Sequence, residues 1–112
     1  MKIVSTSFEP GRGSRACVEV VFRVTLDGPA SECEVTGSVI GPRANGVTTV
    51  EVDYSMKLIE RKDKEVSLNC VIPEPSFWTR ETPLSYGWSI DVEVNGEVTD
   101  SRAGAVAFPA PN

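Results

Sequence analysis

From Trp88 to Val94 the chain alternates without a break. Trp88, Ile90, Val92 and Val94 fall on one side, Ser89, Asp91 and Glu93 on the other. Successive side chains of an extended backbone point to opposite faces, so a period of two describes a strand with one buried face. The same rhythm returns along most of the chain. Ala16, Val18, Val20, Phe22, Val24 and Leu26 alternate with Glu19, Arg23 and Thr25, and only Val21 interrupts the polar side. Cys33, Val35, Gly37 and Val39 share one face. So do Val50, Val52, Tyr54 and Met56, and again Val66, Leu68, Cys70 and Ile72. No segment shows the 3.6-residue period of an amphipathic helix.

Turn residues separate these runs. Asp27-Gly28-Pro29, the cluster from Gly41 to Gly46 and Asn95-Gly96 each favour chain reversal, the last as a tight hairpin. Seven strands are predicted, roughly over 2–8, 16–27, 32–40, 47–56, 65–72, 86–95 and 97–108. The stretch from Lys57 to Glu65 mixes charges of both signs and is expected to be a turn or one helical turn. Alternation blurs between Ser101 and Ala105, so the register of the last strand is open and compatible with a bulge. The fold class is an all-β, immunoglobulin-like or fibronectin-like antiparallel β-sandwich of about seven strands. One domain over 1–108 is expected, with Pro109-Ala110-Pro111-Asn112 as a tail or linker.

Pro73, Pro75 and Pro83 lack the N–H that ladder pairing needs, so the stretch they bracket reads as a stiff crossing loop between two strands. Phe77 and Trp78 lie inside it, where large apolar rings cap the end of a core. Tyr86 stands just before the next strand, where sandwiches place a tyrosine whose hydroxyl ties back to upstream backbone.

The run Pro75-Ser76-Phe77-Trp78-Thr79-Arg80-Glu81-Thr82-Pro83-Leu84-Ser85-Tyr86 resembles the signature N-P-x-L-W-S-P-E-T-P-Y-L-Y of glycoside hydrolase family 2. In that family the signature closes the immunoglobulin-like sandwich preceding the catalytic barrel of β-galactosidases, β-glucuronidases and β-mannosidases. Trp78, Glu81, Thr82, Pro83 and Tyr86 match directly. Phe77 stands for the usual Leu, Arg80 for the first Pro of the core, and Leu84-Ser85 for Tyr-Leu. The family's closing F-G-F-R has only a loose echo in Val106-Ala107-Phe108, without an arginine. The resemblance implies a sandwich domain. It also implies a non-catalytic one, because the family's catalytic carboxylates belong to the barrel.

Composition narrows the chemistry. The 112 residues contain no histidine, which removes the commonest general base and most transition-metal sites. A net charge of −5 argues against a nucleic-acid partner. No apolar run approaches the roughly 18 residues of a membrane helix, so no membrane partner is expected. The first seven residues lack the apolar core of a signal peptide. A cytoplasmic location is therefore expected, with export requiring a leader since removed. Three cysteines form no C-x-x-C spacing. Parity puts Cys33 and Cys70 inward and Cys17 outward. They are free thiols acting as small hydrophobes or, in the sharper alternative, Cys33 and Cys70 bridge the core.

Candidate sites are few. Gly11-Arg12-Gly13-Ser14-Arg15 is either a solvated loop or an anion-binding nest. Glu32 and Glu34, Glu51 and Asp53, and Asp91 and Glu93 pair at i, i+2 on outer faces. Such pairs serve glycoside hydrolysis or calcium only beside a cleft, and no concavity is predicted for them. No catalytic residue, cofactor or metal is assigned. Trp78, with Phe77 and Arg80, is the one candidate ligand or partner contact. A buried Trp78 would close the core. An exposed one would stack on a sugar or anchor a protein. The expected function is a non-catalytic structural or protein-interaction module, its partner a protein or neighbouring domain. A carbohydrate-binding module using Trp78 is the alternative.

Overall fold

The structure, a computed structural model, describes residues 1–13, 17–44 and 50–108, and of residues 10–13 the backbone alone. Among these residues eight strands run in chain order: β1 Ile3–Gly13, β2 Cys17–Leu26, β3 Glu34–Arg43, β4 Val52–Ser55, β5 Lys57–Lys62, β6 Glu65–Pro73, β7 Ser85–Val94 and β8 Glu97–Val106. A short 3-10 helix, Ala30–Glu32, precedes β3. The strands form two four-stranded antiparallel sheets ordered β1-β2-β6-β5 and β4-β3-β7-β8. This is the immunoglobulin-like sandwich expected from the alternation.

The inward rows read from the sequence are the buried ones. Val18, Val20, Phe22, Val24 and Leu26 of β2 face Val35, Val39, Ile90 and Val92 of the opposite sheet. Val66, Leu68, Cys70 and Ile72 of β6 complete the layer. Each such side chain contributes on the order of 1.5–3 kcal/mol by leaving water. Gly37 keeps the inward parity because Met56 already fills its space. A Cβ there would lie 2.6 Å from the Met56 sulfur.

Cys33 and Cys70 are buried, free thiols, and Cys17 is free and half-buried. The Cys70 thiol donates to the Tyr54 carbonyl at 3.5 Å, the Cys33 thiol to the Ala30 carbonyl at 3.7 Å. Burial pushes the Cys70 thiol up to about 11 and raises that of Cys33 as well, which keeps both uncharged and unreactive.

Several expectations need correction. The charged run from Lys57 is neither a turn nor a helical turn but β5, an edge strand. Its charges sit on a strand exposed along its whole length, so apolar alternation never had to appear. At Met56 the chain passes from one sheet to the other, and Met56 N–H donates to the Gly37 carbonyl at 2.9 Å. Of the described residues of the expected long fourth strand, Val52–Ser55 form the ladder with β3. Val50 and Val52 lie 87% and 45% exposed, beyond the rim of the core. The first strand also runs further than its Pro and Gly content suggests, because Pro10 falls on an edge strand. The solvated loop or nest weighed over 11–15 and the tail expected over 109–112 extend outside the described residues.

The blurred alternation of the last strand has a structural cause. The inward positions of β8 are Asp100, Arg102 and Gly104, opposite Val92, Ile90 and Trp88. Asp100 accepts from Ile3 N–H at 2.8 Å, and Arg102 donates to the Ile3 carbonyl at 2.8 Å. The Thr99 hydroxyl donates to the Met1 carbonyl at 2.6 Å. These side chains reach across the open side of the sandwich and lace β8 to β1. Gly104 leaves room for the Trp88 indole, which a Cβ would meet at 2.7 Å. Trp88 points inward as expected, its ring 5.7 Å from that of Phe22 in the facing sheet. It is half-buried rather than enclosed, since it sits at this seam.

The two backbone donors, first Ile3 N–H and then Ser101 N–H, hold the Asp100 carboxyl below its ordinary 3.8. A carboxyl depressed by folding stabilises the fold above its unfolded value, and that contribution is lost as the pH drops through the lower folded value. Asp100→Asn should therefore flatten the acid limb. Between neutral pH and pH about 3, its urea midpoint should fall less than that of the wild type. Parallel pH profiles for the two proteins would show that the lacing through Asp100 does not form.

Candidate functional site

The candidate contact residues lie on the connection between β6 and β7, at one end of the sandwich. Two sequence features shape it. Pro73 and Pro75 flank Glu74, whose φ of +48° lies in the left-handed region and turns the chain out of the sheet. Pro75 is buried, and Ser76 N–H donates to the Tyr86 hydroxyl at 2.8 Å. Tyr86 is 2% exposed, packs against Phe108 at 5.3 Å between ring centroids and lies over Gly41. A Cβ at Gly41 would come within 2.5 Å of the Tyr86 ring, so glycine is needed there. The tyrosine tie expected from the sequence is present.

Past Ser76 the loop is held by backbone. Trp78 N–H donates to the Phe108 carbonyl at 2.7 Å, binding the loop to the chain just beyond β8. Thr79 and Thr82 then close a tight turn. Thr79 N–H donates to the Thr82 carbonyl at 3.1 Å, and Thr82 N–H donates to the Thr79 hydroxyl oxygen at 2.9 Å. Leu84 N–H donates to the same Thr82 carbonyl at 2.9 Å. Arg80 and Glu81 form the exposed tip of this turn.

The three candidate residues therefore part company. Phe77 is half-buried and packs against the core. Trp78 is 43% exposed, and Arg80 is exposed. The expectation that Trp78 closes the core is corrected. Tyr86, Phe108 and Phe77 already fill that end, and the bond from Trp78 N–H to Phe108 holds the indole at the surface. The proline-braced loop is tied down by hydrogen bonds to Tyr86 and Phe108, and these present the ring rather than bury it.

The paired carboxylates fall differently from the strand reading. Glu32 ends the 3-10 helix, so Glu32 and Glu34 do not share one strand. Glu34 stands directly opposite Glu93 across the β3–β7 pair. Glu32, Glu34 and Glu93, with Arg61, line an open depression of about 370 Å³, a concavity the sequence did not indicate. Asp91 instead accepts from the Ser101 hydroxyl at 2.6 Å, and Glu51 pairs with Arg43 at 2.7 Å. Among the described residues no three Cys, Asp or Glu side chains gather as metal ligands. A second open depression, about 670 Å³, lies on the outer face of β2, β6 and β5. Arg23, Lys62 and Lys64 line it together with Glu60, Asp63 and Glu65, so its charges balance.

No family's sequence profile and no curated protein matches the chain. Solved structures do match. A β-glucuronidase from glycoside hydrolase family 2 superposes with a TM-score of 0.58 at 15% identity, over 94% of this chain and 11% of that enzyme. Bacteroides uniformis β-glucuronidase 2, covalently bound to cyclophellitol-6-carboxylate aziridine, superposes with a TM-score of 0.58 at 17% identity, over 92% of this chain and 13% of the enzyme. The chain has the fold of one small part of these enzymes. At such identities the likeness is one of fold, and the chain spans only about an eighth of their length.

Tyr86→Phe tests the corner on which the site rests. It removes one acceptor and leaves the part-buried Ser76 N–H without its partner. A loss of about 1–2 kcal/mol in urea unfolding is expected, with an unchanged denaturant slope. An unshifted midpoint would mean that the loop is not tied through this hydroxyl.

Proposed function

We propose that the chain is a non-catalytic accessory module, a sandwich that supports or docks other protein domains. One observation carries this: nearly the whole chain corresponds to a small part of much larger hydrolases. In the family that the Phe77–Tyr86 signature resembles, the catalytic acids lie in a separate barrel. The absence of histidine agrees, since it leaves only carboxylates, thiols and amines for acid–base work. The indole of Trp78 at the end of a braced loop supplies the kind of rigid aromatic anchor that protein contacts use. Free, buried thiols support a reducing setting such as the cytoplasm.

The same exposed indole favours a second function, the stacking of a sugar ring on Trp78 with Arg80 beside it in the loop. The two are separable in one protein. In a Trp88→Phe variant Trp78 is the one remaining indole, selected by excitation at the red edge of its absorption. Accessory docking expects a solvent-like emission that millimolar glucuronides, galactosides and mannosides leave unchanged, and no release of nitrophenol from their aryl glycosides. A saturable quench by one sugar class would give the sugar reading precedence. Hydrolysis that survives purification would overturn the non-catalytic proposal itself.

A further inference from the structure

We infer that β4 is an open docking edge that takes an extended, basic segment of a partner protein as an added strand. The four outermost strands of the two sheets are β1, β5, β4 and β8, and three of them are protected. β5 carries Lys57, Arg61 and Lys62 and a register shift after Leu58. β1 contains Pro10 and two register shifts. β8 turns Asp100 and Arg102 onto β1. Lysines, prolines, bulges and inward charges are the usual means of blocking edge pairing. β4, with the sequence Val-Asp-Tyr-Ser, is short and carries one aspartate but has no lysine, proline, register shift or inward charge, and among the described residues it pairs only with β3.

The geometry of the edge follows from the ladder. Met56 N–H donates to the Gly37 carbonyl, so alternate residues Tyr54 and Val52 turn their backbone groups to β3 in the same sense. The N–H and C=O of Asp53 and Ser55 then face outward, free to pair. The side chains beside that edge are apolar on one face and acidic on the other. Val50 and Val52 are 87% and 45% exposed, and Leu58 and Ile59 follow across the bend at 51% and 53%. Four of the nine exposed large apolar residues among those described thus fall within this short span.

Charge selects the occupant. Glu51 and Asp53 alternate with the valines. Glu51 is paired with Arg43, whereas Asp53 makes no ion pair among the described residues. A second copy of the chain, paired antiparallel about Asp53, would set carboxylate against carboxylate, and two chains each of net charge −5 repel. A strand alternating basic and apolar residues would instead meet Asp53 with a cation and Val52 with a hydrophobe, while backbone bonds supply register. The inference does not depend on whether Trp78 meets a protein or a sugar.

The test uses the intact chain, isotope-labelled, and a short capped peptide alternating lysine and valine. Saturable amide shifts confined to residues 50–59, with slowed exchange at Asp53 and Ser55 N–H, are expected. Val52→Lys should weaken binding by about tenfold or more, as should a peptide in which glutamate replaces lysine. Shifts scattered over the acidic surface, no saturation, or binding indifferent to Val52→Lys would each overturn the inference. So would concentration-dependent dimerisation abolished by Val52→Lys, because the occupant would then be a second copy.

Discussion

A sandwich of two open sheets has to be closed along both of its long sides, and the way this chain does so governs most of its other features. On one side the closure is covalent. β4 runs into β5 through Met56, which leaves one sheet and enters the other while its side chain fills the space above Gly37. On the other side β1 and β8 face each other across the gap without forming a ladder. There the closure is made by side chains from β8, with Asp100, Arg102 and Thr99 all grasping the backbone of Met1 and Ile3. The core in between is built chiefly from the inward rows of β2, β3, β6 and β7, with Ile3, Ala30, Val106 and Phe108 at its margins.

This division explains which parts of the fold were legible in the sequence. The central strands had to be apolar on one face, so β2, β6 and β7 announce themselves by alternation that only an occasional outward valine interrupts. The edge strands were under no such demand. β5 carries charges that suit an exposed edge, so it resembles a solvated connection. β8 places Asp, Arg and Gly at positions that alternation reserves for core residues, because those side chains serve the seam. Val50 and Val52 keep the apolar alternation of a core strand while lying outside the core, and the pattern alone does not reveal that. Pairing across the seam joins residues nearly a hundred positions apart, a distance no local pattern reports.

The candidate site was half legible for a similar reason. The prolines and Tyr86 indicated a braced corner, and the corner is present. Which of two adjacent rings enters the core depends on what else fills that end of the sandwich. Phe108 lies thirty positions from Trp78, and its carbonyl fixes the Trp78 backbone with the indole outward. The run from Phe77 to Tyr86 therefore describes a platform: a buried tyrosine and phenylalanine below, a tryptophan and an arginine above. Such a platform agrees with the accessory role proposed above.

The rigidity of that platform is the claim on which this account most depends, and hydrogen exchange of two amides measures it directly. Ser76 N–H is held by the Tyr86 hydroxyl and Trp78 N–H by the Phe108 carbonyl, although both belong to a loop. In the native protein both amides should exchange far more slowly than the neighbouring Arg80 and Glu81 amides at the exposed tip, with protection approaching that of the β7 strand. If Ser76 and Trp78 exchanged as fast as the tip residues, the loop would be a mobile connection and Trp78 would not be a presented anchor.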